Sequence, residues 1–362
     1  KPFLYGLALE KRLLTPASLI EDRPLDVAVP GGVYRPGNYD NRFRGLVTVR
    51  TSLASSLNVP AVRTARLVGI APFLETLRNL GFQELRDADF YGPALALGSV
   101  DVSLWELVNA YRTLANGGMW SPLRLTSSPQ KGRERRVFSP AVAFLISDIL
   151  ADRESRSETF GLESPLATRF WSAVKTGTSK DMRDNWCIGY SQHYTVGVWV
   201  GNFSGAPMWN VSGMTGAAPV WVTLMQWLHR NRPSSPPAPP DGLIRQEVLF
   251  PQLHSRRTEW FLAGTAPATV QQPAPLPIPR IRYPVSGMTF AIDPDIPRDQ
   301  QRIFFTVQAG NTGLRWVLDE QDLGSATSPF PWSPRPGKHR LSLVDAGNRL
   351  VDTVHFTVKG GE

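Results

Sequence analysis

The sequence predicts an α+β fold for the first two thirds of its 362 residues and a small all-β sandwich for the tail. Up to residue 152, apolar residues recur mainly at helical spacing. Three alternating runs after residue 170 then predict an antiparallel sheet with helices packed on it. Two proline-rich stretches, 233–240 and 267–279, precede a tail of short alternating runs. We therefore predict a first domain, linkers with a short strand-like segment, and a β-sandwich over 1–232, 233–279 and 280–362.

Amphipathic patterns predict the helices of the first domain. They cover residues 3–13, 47–68, 71–81, 102–114, 139–152 and 216–229. Gly81 closes the third pattern, and Ser139 is the expected N-cap ahead of Pro140 at the first helical position. The second pattern is broken at Asn58-Val59-Pro60. We expect a helix to end there, because a proline disfavours helical backbone in the residue before it.

Alternating runs predict the strands. In the first domain they lie at residues 170–179, 186–190 and 194–202, and the last two form a meander through Ser191–His193. In the tail, the expected core positions are Phe304, Trp316, Leu341, Leu343, Val354 and Phe356. The titratable residues of the tail form no nucleophile–base pair in the sequence pattern. We therefore expect the tail to bind glycan strands or a partner protein, or to act as a spacer.

Composition narrows the classes of function. The formal charge of +8 suits an anionic partner, but no run of five basic residues occurs, which argues against nucleic-acid binding. The single cysteine, Cys187, excludes an internal disulfide, and the five scattered histidines form no pair at ligand spacing. We expect no metal and no cofactor. No apolar run reaches about 18 residues, so we expect no membrane contact from this segment itself.

A predicted strand edge at residues 175–179 has the chemistry to hold a carboxylate. The run Lys175-Thr176-Gly177-Thr178-Ser179 supplies a cation, three hydroxyls and a glycine. The ammonium supplies charge, the hydroxyls donate hydrogen bonds, and Gly177 lets a substrate backbone come close. Taken alone, a Lys-Thr-Gly triplet more often marks a strand running into a polar turn, since short motifs recur by accident.

The Lys-Thr-Gly triplet is the last of three motifs that occur in a fixed order, and chance is a poor explanation for all three together. Lys1 begins the first helical pattern, Ser56-Leu57-Asn58 follows, and Lys175-Thr176-Gly177 comes last. This order matches the S-x-x-K, S-D-N and K-T-G signature of serine acyl-transferases. The flanking sequences KPFLYGLALE, LALGSVDVSLWELVNAYRTLANGG and VKTGTSKDMRDNWCIGYS resemble the transpeptidase domain of class A (bifunctional) penicillin-binding proteins. The linkers, TEWFLAGT and the β-rich tail resemble the 1C type with its C-terminal β-domain. The resemblance implies the penicillin-binding, serine-transpeptidase fold.

The resemblance also implies catalytic roles. The nucleophilic serine is expected three residues before Lys1, outside this chain. One helical turn away, Lys1 can serve as its base only if neutral, and burial and the nearby Lys175 would both lower the pKa of Lys1. Ser56 would bridge the two lysines and pass a proton toward the leaving amine. Asn58 would hold the peptide amide of the substrate.

The third motif is implied to bind the substrate. Lys175, with the hydroxyls of Thr176, Thr178 and Ser179, would grip the terminal carboxylate of a D-Ala-D-Ala stem peptide, and Gly177 would admit its backbone. The backbone N–H of Thr178, beside that of the expected serine, would form the oxyanion hole.

The implied function is a D,D-transpeptidase that cross-links peptidoglycan stem peptides through an acyl-serine intermediate and is inhibited by β-lactams. The parent protein would carry a glycosyltransferase domain upstream, and an upstream anchor would place this segment on the periplasmic side of the bacterial inner membrane. Two alternatives stay open. The same site could hydrolyse its acyl-enzyme, although Glu75 lies on a patterned helix and is a poor candidate base. The chain could also be a β-lactam sensor or scaffold that stays acylated.

Overall fold

The computed structural model describes residues 1–29, 32–126, 134–160, 166–253, 255–267, 270, 279–293, 297, 300–308, 313–326 and 329–360. The chain divides into two compact units. The first comprises Lys1–Pro24 and Gly37–Gln271, and the second comprises Leu25–Pro36 and Gln272–Glu362. The predicted linker over 267–279 lies mostly outside the described residues.

Helices belong to the first unit. They are α1 (Pro2–Glu10), α2 (Val49–Ala54), α3 (Asn58–Val68), α4 (Ile70–Asn79), α5 (Ala88–Tyr91), α6 (Leu104–Ala115), α7 (Pro140–Ala151), α8 (Arg153–Phe160) and α9 (Ala218–Leu228). Their ends follow local chemistry: Ser139 Oγ accepts a hydrogen bond from Val142 N at the start of α7, as the sequence predicts. A reciprocal Ser103–Glu106 cap, which the sequence analysis did not identify, starts α6.

Strands occur in both units. They are β1 (Leu19–Asp22), β2 (Val27–Val29), β3 (Gly32–Tyr34), β4 (Gly45–Thr48), β5 (Met119–Trp120), β6 (Arg135–Arg136), β7 (Ala173–Thr178), β8 (Asp184–Tyr190), β9 (Thr195–Gly201), β10 (Leu243–Phe250), β11 (Ser255–Leu262), β12 (Arg280–Tyr283), β13 (Thr289–Ala291), β14 (Ile303–Gln308), β15 (Arg315–Leu318), β16 (Gln321–Ser325), β17 (Phe330–Trp332), β18 (Gly337–Val344) and β19 (Leu350–Lys359).

The segment over 47–68 does not break where the sequence predicts. A helix was expected to end at Asn58-Val59-Pro60, but α3 begins there. The break lies between the end of α2 at Ala54 and the start of α3 at Asn58. Pro60 sits in the first turn of α3, where the N–H that proline lacks would have no intrahelical partner. The prediction was wrong because it read the proline as a stop signal, whereas here it supports a helix start.

The central sheet of the first unit is antiparallel, in the order β7-β8-β9. Each strand contributes one buried residue to an apolar cluster with Trp221 of α9, namely Val174, Cys187 and Val198. Helix α7 also contacts the sheet, through a 2.7 Å hydrogen bond between Ser147 and Tyr190. In this sheet β7 pairs with β8 alone, so its other edge is available.

The predicted linker region contains a hairpin that belongs to the first unit. Strands β10 and β11 pair through eight consecutive residue pairs, from Leu243↔Leu262 to Phe250↔Ser255. Val248, Phe250 and Phe261 are buried in one cluster with Ala17 and Val270. The first unit therefore extends to about residue 271 rather than 232, and we propose that boundary for the first domain.

The tail is built from two sheets that share one apolar core. The sheets have the orders β12-β14-β17 and β13-β19-β18-β15-β16, and residues of both meet in a single cluster. Five of the six predicted core residues are buried, the exception being Phe304, which is 48% exposed while Phe305 is fully buried. The alternation was assigned one residue out of step, which moves a side chain to the opposite face of the sheet. The sandwich itself is as predicted.

Candidate active site

All the predicted site residues line one cleft of the first unit, with a volume of about 600 Å³. They come from the start of α1, the turn between α2 and α3, and strand β7 with the residue after it. These residues are Lys1, Ser56, Asn58, Lys175, Thr176, Gly177, Thr178 and Ser179.

Lys1 is held by the α2–α3 turn. Its Nζ donates to the backbone oxygen of Ser56 at 2.7 Å and to Asn58 Oδ1 at 2.5 Å, and it lies 3.4 Å from Ser56 Oγ. Burial lowers the pKa of the Lys1 side chain well below its usual value, and the charge of Lys175 lowers that pKa further. The lowered pKa favours the neutral amine, which is the form that can accept a proton and act as a base.

Lys175 reaches the same hydroxyl from the sheet. Its Nζ donates to Ser56 Oγ at 2.7 Å and to its neighbour's carbonyl, Thr176 O, at 2.6 Å. Burial, followed by the charge of Arg156, lowers the pKa of Lys175 to about 7. The Ser56 hydroxyl therefore lies within reach of both amines, the arrangement that proton transfer between them requires.

Ser56 occupies an unusual backbone conformation. Its φ is +59°, in the left-handed region. Two hydrogen bonds close the turn after α2, from Ser56 N to Leu53 O at 3.2 Å and from Leu57 N to Ser52 O at 3.0 Å. A glycine usually fills this position, and a side chain there costs about 1–2 kcal/mol. The turn presents both the carbonyl and the hydroxyl of Ser56 to Lys1.

Asn58 is fixed by residues that the sequence analysis missed. Its backbone N–H donates to Asn38 Oδ1 at 2.8 Å, and its Nδ2 donates to Gly37 O at 2.7 Å. Asn38 is buried and donates to both carboxylate oxygens of buried Asp22 at 2.8 Å. No spacing or motif marks these two residues, because Asn38 contacts Asn58, and Asp22 contacts Asn38, only in the folded chain.

The hydroxyls at the end of β7 differ in their surroundings. Thr178 Oγ1 accepts a 2.9 Å hydrogen bond from Gly213 N, which leaves its own hydrogen to donate into the cleft. Ser179 Oγ accepts from Asp184 N at 2.8 Å and donates to Asp184 Oδ2 at 3.1 Å. Ser179 thus helps to close the turn between β7 and β8 while also lining the cleft, and its binding of a carboxylate stays a prediction.

Two glycines shape this edge of the cleft. A Cβ on Gly213 would lie 2.5 Å from Gly177 O and 2.7 Å from Trp186 O, so the turn at Gly213 rests directly on the sheet. A Cβ on Gly177 would meet only Trp186, at 3.8 Å. Gly177 is therefore not required for packing, and its lack of a side chain keeps the edge of β7 open.

Within the residues that the structure describes, no group of three or more His, Cys, Asp or Glu side chains is placed to hold a metal ion. No helix in the same part of the chain is both long and apolar enough to cross a bilayer.

Comparison with known families agrees with this geometry. Residues 1–216 match the penicillin binding protein transpeptidase domain. The chain belongs to this family. Residues 268–356 match the penicillin-binding protein C-terminus family, so the stretch between the two matches includes the β10–β11 hairpin.

Curated relatives share this family. The chain is 33% identical over 299 residues to penicillin-binding protein 1C of Escherichia coli K12, which covers 79% of this chain and 37% of that protein. It is 28% identical to penicillin-binding protein 1A of Neisseria lactamica, over 67% of this chain and 32% of that protein. The chain thus spans about a third of the length of these relatives.

Solved structures show the same fold. Penicillin-binding protein 1A from Haemophilus influenzae superposes with a TM-score of 0.65 at 24% identity, over 75% of this chain and 48% of that one. PonA1 from Mycobacterium tuberculosis, in complex with penicillin V, gives 0.55 at 20% identity, over 66% and 70%. The predicted penicillin-binding fold is confirmed.

Proposed function

We propose that this chain is the catalytic part of a peptidoglycan D,D-transpeptidase and a target of β-lactams. One observation carries the proposal: the Ser56 hydroxyl lies 2.7 Å from Lys175 Nζ and 3.4 Å from Lys1 Nζ, in the cleft that borders β7. A hydroxyl between two amines of lowered pKa is a proton relay, which acyl transfer to and from a serine requires.

The nucleophile in this proposal is a serine three residues before Lys1 in the full-length protein. Neutral Lys1 takes the proton of that serine as its Oγ attacks the carbonyl of the penultimate D-Ala. The backbone N–H of Thr178 and that of the serine hold the oxyanion. The intermediate then expels the terminal D-Ala, whose amine takes its proton from Lys1 through Ser56. An acceptor amine later attacks the acyl ester and gives up a proton, the bond to the serine oxygen breaks as the amide cross-link forms, and Lys1 returns a proton to the serine.

Lys175 and the hydroxyls of Thr176 and Thr178 bind the terminal carboxylate in this proposal. With a pKa of about 7, Lys175 is only partly protonated at neutral pH. An incoming carboxylate stabilises the charged ammonium and raises its pKa, so substrate binding favours the protonated form of Lys175. Gly177 lets the substrate backbone approach the open edge of β7.

Hydrolysis by the same site has less support. Glu75, the candidate base weighed from the sequence, lies on α4 with its side chain 61% exposed, 3.4 Å from Arg78 and 3.5 Å from Asn79. It is not among the residues that line the cleft. We therefore favour transfer to an acceptor amine over transfer to water.

The likeness to penicillin-binding protein 1C supports a wider proposal for the whole protein. It would be a bifunctional enzyme with a glycosyltransferase domain upstream, anchored by an upstream segment on the periplasmic side of the inner membrane. The tail would bind a glycan strand or a protein partner. Fractionation of cells and a glycan-polymerisation assay on the full-length protein test these points.

The experiment combines a labelled β-lactam with a peptide ending in D-Ala-D-Ala and an acceptor amine, all with the full-length protein. We expect rapid acylation by the β-lactam and release of D-Ala with formation of a cross-linked product. Acylation without turnover of the peptide would instead identify a sensor or scaffold, and a protein that is not acylated would contradict both.

A further inference from the structure

Helix α2, which precedes the Ser56 turn, is held at its first turn by a buried arginine. Arg50 is 4% exposed, and its Nε donates to Glu259 Oε2 at 2.6 Å. The same guanidinium forms a second bond to Glu259 Oε1, giving a two-pronged ion pair. It also contacts Asp148 Oδ2 at 2.5 Å and Asp152 Oδ2 at 3.2 Å. Glu259, only 2% exposed, comes from strand β11.

The other end of α2 is tied to the same strand. Ser55 Oγ, adjacent to Ser56, donates to the carbonyl of Ser155 at 2.7 Å. Ser155 is itself held by Asp152, through bonds of 3.0 Å to its N–H and 2.9 Å to its hydroxyl. Arg257 of β11 donates to Ser155 Oγ at 2.8 Å and forms an ion pair with Asp152. Glu259 thus binds the start of α2 directly, and Arg257, two residues away on the same strand, reaches its end through Ser155.

The hairpin is paired along its whole length and packed into an apolar cluster. Its ladder places Glu259 opposite Gln246 and Arg257 opposite Val248, and Val248 is fully buried. Phe261, two residues beyond Glu259, is also fully buried. The hairpin lies between the two family matches and is assigned to neither.

In some proteins a buried ion network specifies geometry more than it stabilises the fold, because desolvation offsets most of the attraction between its charges. What it specifies here is the place where α2 ends. That end carries a strained serine whose hydroxyl must stay within hydrogen-bond reach of two amines.

We propose that Glu259 and Arg257 are positioning residues for acyl transfer: strand β11 fixes both ends of α2 and so keeps the Ser56 hydroxyl between Lys1 and Lys175. The inference rests on the proposed function of Ser56. It assigns a positioning role in acyl transfer to a hairpin that lies in the predicted linker region.

The main test is Glu259→Gln in the full-length protein, with Glu247→Gln as the matched control on the exposed face of β10. Misplacement of a catalytic group by about 1 Å costs about 100-fold in rate. We expect Glu259→Gln to lower the acylation rate constant for a β-lactam about 10- to 100-fold. The dissociation constant of the non-covalent complex should stay unchanged, because Lys175 and the edge of β7 are untouched. Glu259→Asp, which keeps the charge, should recover part of the rate, and Glu247→Gln should match the wild type.

A second variant and its control keep the test decisive if Glu259→Gln does not fold. Arg257→Gln removes the contact to Ser155 from a partly exposed position, and Arg256→Gln is its exposed neighbour and control. We expect the same loss in rate constant from Arg257→Gln and none from Arg256→Gln. A folded Glu259→Gln or Arg257→Gln variant that is merely less heat-stable but acylates at the wild-type rate would overturn the proposal.

Amide hydrogen exchange separates this inference from the proposed function. In Glu259→Gln, the amides of residues 52–57 should exchange faster while those of β7 and β8 keep their wild-type protection. Unchanged exchange over residues 52–57 would overturn the positioning role even if acylation fell. If the wild-type protein is not acylated at all, the proposed function fails, and the exchange measurement still decides whether β11 holds the turn.

Discussion

Two lysines share one hydroxyl in this cleft, and the charge of each depends on the other. Lys1 and Lys175 are both buried enough for the pKa of each to fall, and Lys175 adds its charge to the environment of Lys1. Groups coupled in this way titrate as a pair, so the pH dependence of the reaction reports on the site as a whole. In the proposed mechanism one member of the pair must be neutral while the other is protonated.

The pH dependence should reveal the protonated member. The lowered pKa of Lys175 means that its charge is lost as pH rises through about 7, well before an ordinary lysine loses its own. The second-order rate constant for acylation by a β-lactam with a free carboxylate should therefore fall above about pH 7. A neutral ester of the same β-lactam should not show this fall. Identical pH profiles for the acid and the ester would contradict carboxylate binding by Lys175.

Replacement of Lys175 tests the same residue directly. Lys175→Ala removes the donor to Ser56 and the charge for the carboxylate. Losing a hydrogen bond to a charged group costs about 1.5–3 kcal/mol, which corresponds to a fall of about 10- to 100-fold in the acylation rate. Lys180→Ala, an exposed lysine just beyond β7, is the control and should react like the wild type. An unchanged rate in Lys175→Ala would show that carboxylate binding lies elsewhere.

For individual residues, the sequence predicted the members of the three motifs but not the neighbouring residues that position them. Order and spacing identify Lys1, Ser56 and Lys175, because the chemistry constrains residue types. The sequence does not identify Asn38 and Asp22, since they act through contacts that exist only after folding. The positive φ of Ser56 is also hidden, because the residue that usually signals it, a glycine, is absent.

Among the elements, strand β7 combines support and function. One edge pairs with β8 along its whole length, and the other edge borders the cleft. The turn that begins at Gly213 packs against the same strand and orients the Thr178 hydroxyl. The strand is therefore fixed from two sides, and its remaining edge stays available to a substrate.

Glycine substitutions can separate these two uses of β7. Gly177→Ala adds a Cβ with room around it, so the free energy of unfolding should change by less than about 1 kcal/mol. The new methyl would lie beside Trp186, which also lines the cleft, so binding of the β-lactam should weaken. Gly213→Ala drives a Cβ against two carbonyl oxygens and should destabilise the protein by about 1–3 kcal/mol. Denaturant unfolding and β-lactam titration measure both effects. Normal binding by a folded Gly177→Ala protein would exclude close approach of the substrate at this point.

Element types were predictable where local chemistry decides them. Ser139-Pro140 starts a helix, and the alternation after residue 170 gives the sheet, as expected. The β10–β11 hairpin was partly hidden between proline-rich stretches, and its packing onto α2 depends on Glu259, whose partner Arg50 is remote in sequence. Strand β17 carries no alternating pattern, because it is three residues long and its middle residue is Pro331.

The molecule as a whole consists of two units with separate apolar cores. The first contains every residue assigned here to catalysis, and the second is a sandwich with a core of its own. We therefore expect the catalytic activity to survive loss of the tail, provided that the hairpin stays.

Two truncations of the full-length protein test this division. A protein that ends after Gln271 keeps Val270 and the hairpin cluster, and should retain its β-lactam acylation rate. A protein that ends after Arg232, the boundary suggested by the sequence, loses β11 and with it the side chains of Glu259 and Arg257. It should acylate at least about 10-fold more slowly, or fail to fold. Collapse of acylation in a folded protein that ends after Gln271 would place part of the active site in the tail.

Locating the acyl group is the most direct test of the central claim, that Lys1, Ser56 and Lys175 serve an acyl-serine. The full-length protein is treated with a β-lactam, digested, and its peptides are examined by mass spectrometry. We predict one adduct, on a serine three residues before Lys1, which forms much more slowly in Ser56→Ala. An adduct on any other residue, or a serine adduct that forms equally fast without the Ser56 hydroxyl, would contradict the proposed mechanism.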